Sequence, residues 1–383
     1  MSHIFVILSH KNIIVSFVIQ KMKPFIPNKL PLENLNWTEL IQLLGLANRE
    51  LARYDGILQS IPNPIVLLSP LTTQEAVLSS KIEGTQATLQ EVLRFEAQPE
   101  RSVKKHTDIL EILNYRQAMG YAVKELENRP ISLNLVKKMH SLLLENVRGQ
   151  KRGIGKFRNT QNWIGKPGSK INEARFIPPA PLNLLEYLDN FEKYIHFEDK
   201  DKLVQLAIIH AQFEIIHPFI DGNGRIGRIL IPLFLFEKKI LNSPMFYISS
   251  YLERNITKYY DRLIYISDNN TWEEWIKFFL NAIILQSKSN SEKAKHILNI
   301  YDEMKKRIVD KTHSQFSIQI LDCLFHMPIF SSSDFQRKSN IPKPSANRIL
   351  NQLKDAKIVD IIEEGKGRRP TIFIFKKLIK IID

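Results

Sequence analysis

The chain has one cysteine, Cys323, in 383 residues. A single cysteine excludes an intramolecular disulfide and fits a reducing compartment, so a cytoplasmic location is expected. Cys323 lies in the apolar run LDCLFHM and reads as a small buried hydrophobe rather than a nucleophile. Gly and Pro number only 14 and 19, too few for a fibrous or disordered polymer. Long apolar runs are also lacking. Residues 4–8 and 13–19 are apolar but are interrupted by Ser9, His10, Lys11 and Asn12, and neither run reaches the length of a bilayer span. No basic lead with a small-residue cleavage site precedes them, which argues against a signal peptide. Residues 1–21 read as a non-native extension, Met22 as the start, and 1–36 as a leader. Walker A, Rossmann and Ser-His-Asp patterns are missing. His210 and His217 fall on one helical face, but no third zinc ligand accompanies them.

What is present is a large apolar fraction, 44%, on a chain long enough for two or three domains. The net charge is +14, which points to anionic partners without naming them. Residues 311–383 carry 13 Lys and Arg against 7 Asp and Glu, about twice their even share of that charge.

Most of the chain has helical periodicity. Residues 37–58 are amphipathic, and a second helix starts at Ser69 and Pro70 and stops at Gly84. Within it Ser79 and Glu83 are four apart and share a face. Thr88 and Glu91 form a capping box for the next helix. Helical patterns continue over 106–127, 132–146, 181–194, 199–216, 226–238, 254–267 and 272–286, with a charged connector helix over 289–309. Residues 152–179 break the pattern with Gly, Asn, Lys and Pro and read as a long loop with a short hairpin. The tail reads as three helices and two strands about a Gly-Lys-Gly-Arg-Arg turn, the pattern of a winged helix. The expected fold is mainly α. Its segments are a leader (1–36), an N-terminal helical region (37–103), a helical core with a β-hairpin (104–288), a connector (289–312) and the winged-helix tail (313–383).

The densest chemistry is HPFIDGNGRIGR, residues 217–228. His217 ends an apolar helix and is suited to general-base work near neutral pH. Asp221 is a hard oxygen ligand of the kind that shares Mg²⁺ with phosphates. Gly222 and Gly224 permit backbone angles that let amide groups converge on an anion, and Asn223 adds a side-chain donor. The next helix begins here, with its N-terminus toward any bound phosphate. Arg225 and Arg228 are three apart on that helix, flanking Ile226 and Gly227, and both grip phosphates as forks.

This run resembles the signature of the Fic family, H-x-F-x-[D/E]-G-N-G-R-x-x-R, at every fixed position. Fic proteins mostly transfer AMP from ATP to hydroxyl side chains of proteins. The resemblance implies that His217 deprotonates the target Ser, Thr or Tyr and that Asp221 holds Mg²⁺. It further implies that the loop 222–224 binds the α- and β-phosphates, that Arg225 contacts phosphate and that Arg228 takes the γ-phosphate. Ile226 and Gly227 complete the ATP contact. Ser79 to Gly84 also resembles the family's inhibitory motif, [S/T]-x-x-x-E-[G/N], which implies that Glu83 pairs with Arg228 and displaces the γ-phosphate. Residues 152–165, with Phe157, Arg158 and Ile164, resemble the flap that pins a target peptide as an added strand. The stretch 249–263 looks like the adenine-pocket lining, with Tyr259 stacking on the base. The resemblance covers residues 37–286.

The expected function is therefore an autoinhibited AMP transferase acting on an unidentified protein, with self-modification and a homodimer as further partners, and no membrane. Two alternatives stay open. One is a nucleotide-sensing DNA-binding regulator that uses the 343–348 helix and the wing residues Lys366, Arg368 and Arg369. The other is a Fic enzyme that removes AMP or moves another phosphate-containing group.

Overall fold

Period-3.6 patterning makes this chain helical, and the computed structural model shows how those helices stack. It describes residues 23–99, 105–147, 153–166, 168–367 and 369–382. The extension 1–21, position 152 of the flap and Arg368 of the wing lie outside the described residues. The first helix, α1 (Trp37–Ser60), buries Leu40, Ala47, Leu51, Tyr54 and Leu58 at helical spacing. A short α2 (Pro64–Leu67) leads into α3 (Ser69–Ile82), which carries Pro70 in its first turn and ends before Gly84 at φ +97°. Thr88 and Glu91 close the expected capping box on α4 (Leu89–Ala97). Next come α5 (His106–Glu125), α6 (Leu133–Leu143, capped by Ser132) and α7 (Leu184–His196).

Two helices form the centre. In α8 (Lys202–Ile216) and α9 (Asn223–Glu237) nearly every side chain is buried, so both are surrounded on all sides. Helix α10 (Ser249–Arg254) packs against α3, and α11 (Ile256–Asn269) packs against α8. The pattern at 272–286 and the connector at 289–309 turn out to be one 41-residue helix, α12 (Trp272–Thr312). No Gly or Pro separates the two, and Ser287 and Asn290 at the junction are buried, so nothing breaks the hydrogen-bond ladder.

The tail runs α13 (Ser317–His326), β1 (Ile329–Ser331), α14 (Ser332–Ser339), α15 (Lys343–Asp355), β2 (Asp360–Glu363), β3 (Ile372–Ile374) and α16 (Lys376–Ile382). Its antiparallel sheet has the order β1-β3-β2, with Phe330 opposite Phe373 and Ile361 on the other side of Phe373. The sequence pattern missed β1 and α16, which are only three and seven residues long. Cys323 is buried here, and burial pushes its thiol up to about 12. The tail packs on the N-terminal helices: α13 and α16 touch α3, and β1 lies beside α4. Lys293 of α12 donates both to Gln74 of α3 and to the Ile382 carbonyl of α16. Among the described residues, no helix is long and apolar enough to cross a membrane.

Candidate active site

The site forms where α8 stops. His217 is the C-cap of α8 at φ +49°, a left-handed conformation that turns the chain out of the helix. Its Nδ1 lies 3.2 Å from the Glu214 carbonyl, which only accepts, so Nδ1 carries the proton and Nε2 keeps a free lone pair. Burial pushes the His217 imidazole down to about 4, against the pull of the Glu214 carbonyl and of Glu83 and Asp221. The ring is therefore neutral at pH 7.

Arg158 supports this turn from below. Its guanidinium donates to the carbonyls of His217 (2.9 Å), Ile216 (3.3 Å) and Pro179 (2.6 Å), and burial lowers its pKa to about 10. The sequence placed Arg158 in a peptide-pinning flap; its side chain is instead a buried strut, and Phe157 packs on Phe219. The flap itself is mostly turns: among the described residues its pairing is a single bridge between Ile164 and Phe176. The run GIGKFRNT is too rich in glycine and polar residues to extend that ladder.

The loop 218–222 is closed by Asn223. Both ends of its amide engage Phe219: Oδ1 accepts from the Phe219 N–H (2.8 Å) and Nδ2 donates to its carbonyl (2.9 Å). Asn223 thus shapes the loop instead of offering the free donor read from the sequence. Gly222 sits at φ +81°, and Asp221 Oδ1 accepts from its N–H (2.6 Å). The first bond inside α9 runs from Ile226 to the Gly222 carbonyl, so the amides of Asn223, Gly224 and Arg225 have no partner within the helix.

Residues remote in sequence complete the frame. His140 of α6 is fully buried and stacks on Phe219 at 3.8 Å with the rings parallel to 4°. Its Nδ1 accepts from the Gly155 N–H (2.9 Å), so its Nε2 carries the proton and donates to the Asp221 carbonyl (3.0 Å). Burial lowers it to about 4. One ring thereby joins α6, the flap and the 217–228 loop.

The two arginines have different partners, and only Arg225 departs from the sequence reading. Arg225 is buried with Glu111 at 3.2 Å and Asp221 at 3.5 Å, so its fork is turned to carboxylates of the protein. Arg228, 1% exposed, meets the inhibitory motif. Its Nε donates to Ser79 Oγ (2.8 Å), and its Nη2 to the Ser79 carbonyl (2.9 Å) and Glu83 Oε1 (2.6 Å). Burial would raise the Glu83 pKa, but Arg228 holds it below the usual carboxylate value. A Cβ on Gly224 would lie 2.2 Å from Glu83 Oε1, so a side chain there would displace the carboxylate from its present position. Ile226 is buried in the core, and a Cβ on Gly227 would meet Glu214 Oε1 at 2.4 Å.

Tyr259 does not stand open to a base. It is 1% exposed, its hydroxyl bonds His210 Nε2 (2.9 Å), and Trp275 and Tyr260 cover its ring. His210 gives its other nitrogen to the Gly227 carbonyl (3.2 Å), so that pair is a structural link under α9. Tyr260, one position along, is only half-buried and feels Glu83 and Arg228, and so borders the site. Glu214 was also missed. Burial raises its carboxyl to about 8, and its Oε1 has no hydrogen-bond partner. Among the described residues, no group of three His, Cys, Asp or Glu is placed to hold a metal by itself.

This helix–loop–helix with its paired arginine is the core of a known class. Residues 41–124 match the model of the Fic/DOC family N-terminal region, and residues 130–235 match that of the Fic/DOC family. The chain carries a Fic N-terminal region and a Fic domain. It is 29% identical over 142 residues to protein adenylyltransferase fic-1 of Caenorhabditis briggsae, covering 36% of this chain and 26% of that one. To a probable protein adenylyltransferase of Aquifex aeolicus it is 28% identical over 179 residues, 46% of this chain and 51% of that one. The chain thus spans about a quarter to a half of the length of these relatives. Among solved structures, a Fic family protein from Desulfovibrio desulfuricans G20 has a TM-score of 0.56 at 17% identity, covering 92% of this chain and 98% of that one. A Fic-domain signaling protein from Bacteroides thetaiotaomicron has a TM-score of 0.51 at 16% identity, over 65% of this chain and 98% of that one. At these identities the likeness is one of fold.

Proposed function

We propose that this protein transfers AMP from ATP to a hydroxyl of a protein, itself included, in the cytoplasm, and that Glu83 restrains the reaction. The observation that carries the reading is the pairing of Arg228 with Glu83 and Ser79, with Glu83 close enough to act on a neutral His217 whose Nε2 is free. The names of the curated relatives, protein adenylyltransferases, support the same chemistry.

In this reading the hydroxyl oxygen of the target attacks the α-phosphorus, and its proton passes to His217 Nε2. The bond from the α-phosphorus to the bridging oxygen breaks, and pyrophosphate leaves. The unpartnered amides at the start of α9 face the phosphates. Arg228 takes the γ-phosphate once Glu83 withdraws, because carboxylate and phosphate compete for one guanidinium fork. Arg225 acts by holding Asp221 and the loop. Asp221 fits the Mg²⁺ that accompanies ATP: its side chain is 36% exposed and offers a hard oxygen. Bound there, the ion would neutralise phosphate charge. Residues 37–103 then form the inhibitory region, 104–288 the catalytic core, 289–312 a connector and 313–383 a winged-helix module.

The test uses ATP labelled on the α-phosphate with wild type, Glu83→Gly, and Glu83→Gly combined with His217→Ala. Label on the single mutant, lost in the double mutant while ATP still binds, supports the reading. Label in none of the three, even with cell extract added, overturns it in favour of a nucleotide sensor. Release of AMP from a modified protein would instead indicate the reverse activity.

A further inference from the structure

Helices α14 and α15 are joined by a three-residue turn, 340–342, in which Asn340 takes the left-handed conformation at φ +55°. A turn of that length between two helices is the helix–turn–helix arrangement. The second helix, α15, turns Ala346, Ile349, Leu350 and Leu353 into the core. Its other face presents Lys343, Asn347, Arg348, Asn351 and Lys354 to solvent. Lys354 has a loose contact with Asp355 at 3.7 Å; among the described residues Lys343 and Arg348 are in no ion pair. Next in the chain after this helix, the hairpin between β2 and β3 carries exposed Lys366 and Arg369, joined by a bridge at its tip. A groove of about 450 Å³ opens at the turn, lined by polar residues including Ser333, Gln336, Arg337 and Lys343.

We infer that this face binds double-stranded DNA, with α15 in the major groove and the β2–β3 hairpin against the neighbouring backbone. A 13-residue helix is about 20 Å long and about 10–12 Å across with its side chains. That fits a B-form major groove about 12 Å wide. Asn and Arg are the side chains that read adenine and guanine edges, and the flanking lysines suit phosphates. An acidic protein fits less well. Protein interfaces are built around apolar or aromatic anchors, whereas the only large hydrophobic exposed among the described residues of 313–382 is Ile318, on α13. Duplex RNA is disfavoured because its major groove is too deep and narrow for side chains to read. The inference does not depend on AMP transfer.

The test is fluorescence anisotropy of the full chain with a labelled 24-base-pair DNA duplex of mixed sequence, at 50 and 200 mM NaCl. With four phosphates neutralised, affinity should fall roughly a hundredfold between those salt concentrations. Lys343→Glu with Arg348→Glu should weaken binding at least tenfold at 50 mM NaCl without changing the circular dichroism spectrum, since both side chains are exposed. No binding at 50 mM NaCl, or binding that the double variant leaves unchanged, overturns the proposal. So does equal binding of an RNA duplex of the same sequence, or of polyglutamate.

Discussion

Arg228 and Ser79 are joined twice: the Arg228 Nε donates to the Ser79 hydroxyl at 2.8 Å and its Nη2 donates to the Ser79 carbonyl at 2.9 Å. Glu83, one turn further along α3, takes the same Nη2 at 2.6 Å. The guanidinium is therefore held by a helix, through one hydroxyl, one peptide group and one carboxylate. Ser79→Ala removes only the hydroxyl, a neutral acceptor for a charged donor, a contact of about 1.5–3 kcal/mol. Self-labelling from ATP should rise above wild type but remain below that of Glu83→Gly. Label equal to wild type would mean that the hydroxyl plays no part in restraint.

Arg225 and Glu111 form a buried pair, 3% and 7% exposed. Thr85, just after the inhibitory motif, also donates to Glu111. Glu111→Ala leaves a buried guanidinium with only the 3.5 Å contact to Asp221. A loss of about 3 kcal/mol follows, at the low end for breaking a buried pair. The thermal midpoint should fall by several degrees, at roughly 2–4 °C per kcal/mol. An unchanged midpoint would show that Arg225 finds another partner.

His140 uses both ring nitrogens between Gly155 and the Asp221 carbonyl. His140→Phe keeps the stacking on Phe219 but removes both hydrogen bonds. In the Glu83→Gly background kcat should fall by about tenfold or more, because small misplacements of a reacting loop are costly. The KM for ATP should move less, and the thermal midpoint only slightly. His140→Gln, which restores one bond, should recover part of the rate. A fall in stability that tracks the loss of activity would reduce His140 to a packing residue.

Glu214 and Glu75 are carboxyls raised by burial, to about 8 and about 7. A raised carboxyl binds its proton more tightly folded than unfolded. Its stabilising contribution is complete below the ordinary value of 4.5 and is lost as pH rises to about 8 for Glu214. Glu75 has acceptors' work to do, taking bonds from the Ser249 N–H and hydroxyl, while Glu214 Oε1 has no partner. Glu214→Gln should therefore raise the thermal midpoint at pH 8 relative to wild type, with little change at pH 5. Equal shifts at both pH values would show that Glu214 is ionised throughout.

The parts that the sequence revealed are those whose partners lie close along the chain. The run 217–228 is one helix end, one loop and one helix start, and Ser79 and Glu83 share a face by spacing alone. Helices with an apolar stripe, such as α1 and α4, were legible for the same reason. The errors arise from contacts across long separations. Arg158 reaches carbonyls near His217, 59 positions away, and Glu111 reaches Arg225, 114 positions away. Nothing in local spacing distinguishes such a buried arginine from one that awaits a ligand. Tyr259 and Tyr260 are adjacent, and neighbours on a helix point about 100° apart, so choosing between them required the position of Trp275.

The helix α12 extends for 41 residues, about 60 Å at 1.5 Å each. Near one end it lies against α1 and α8; near the other it lies against α13, α15 and α16. A flexible tether would let the tail sample many bearings relative to His217. A continuous rod clamped at both ends does not. The exposed face of α15 is thereby held at a set distance and angle from the 217–228 loop, like the two jaws of a caliper locked at one opening.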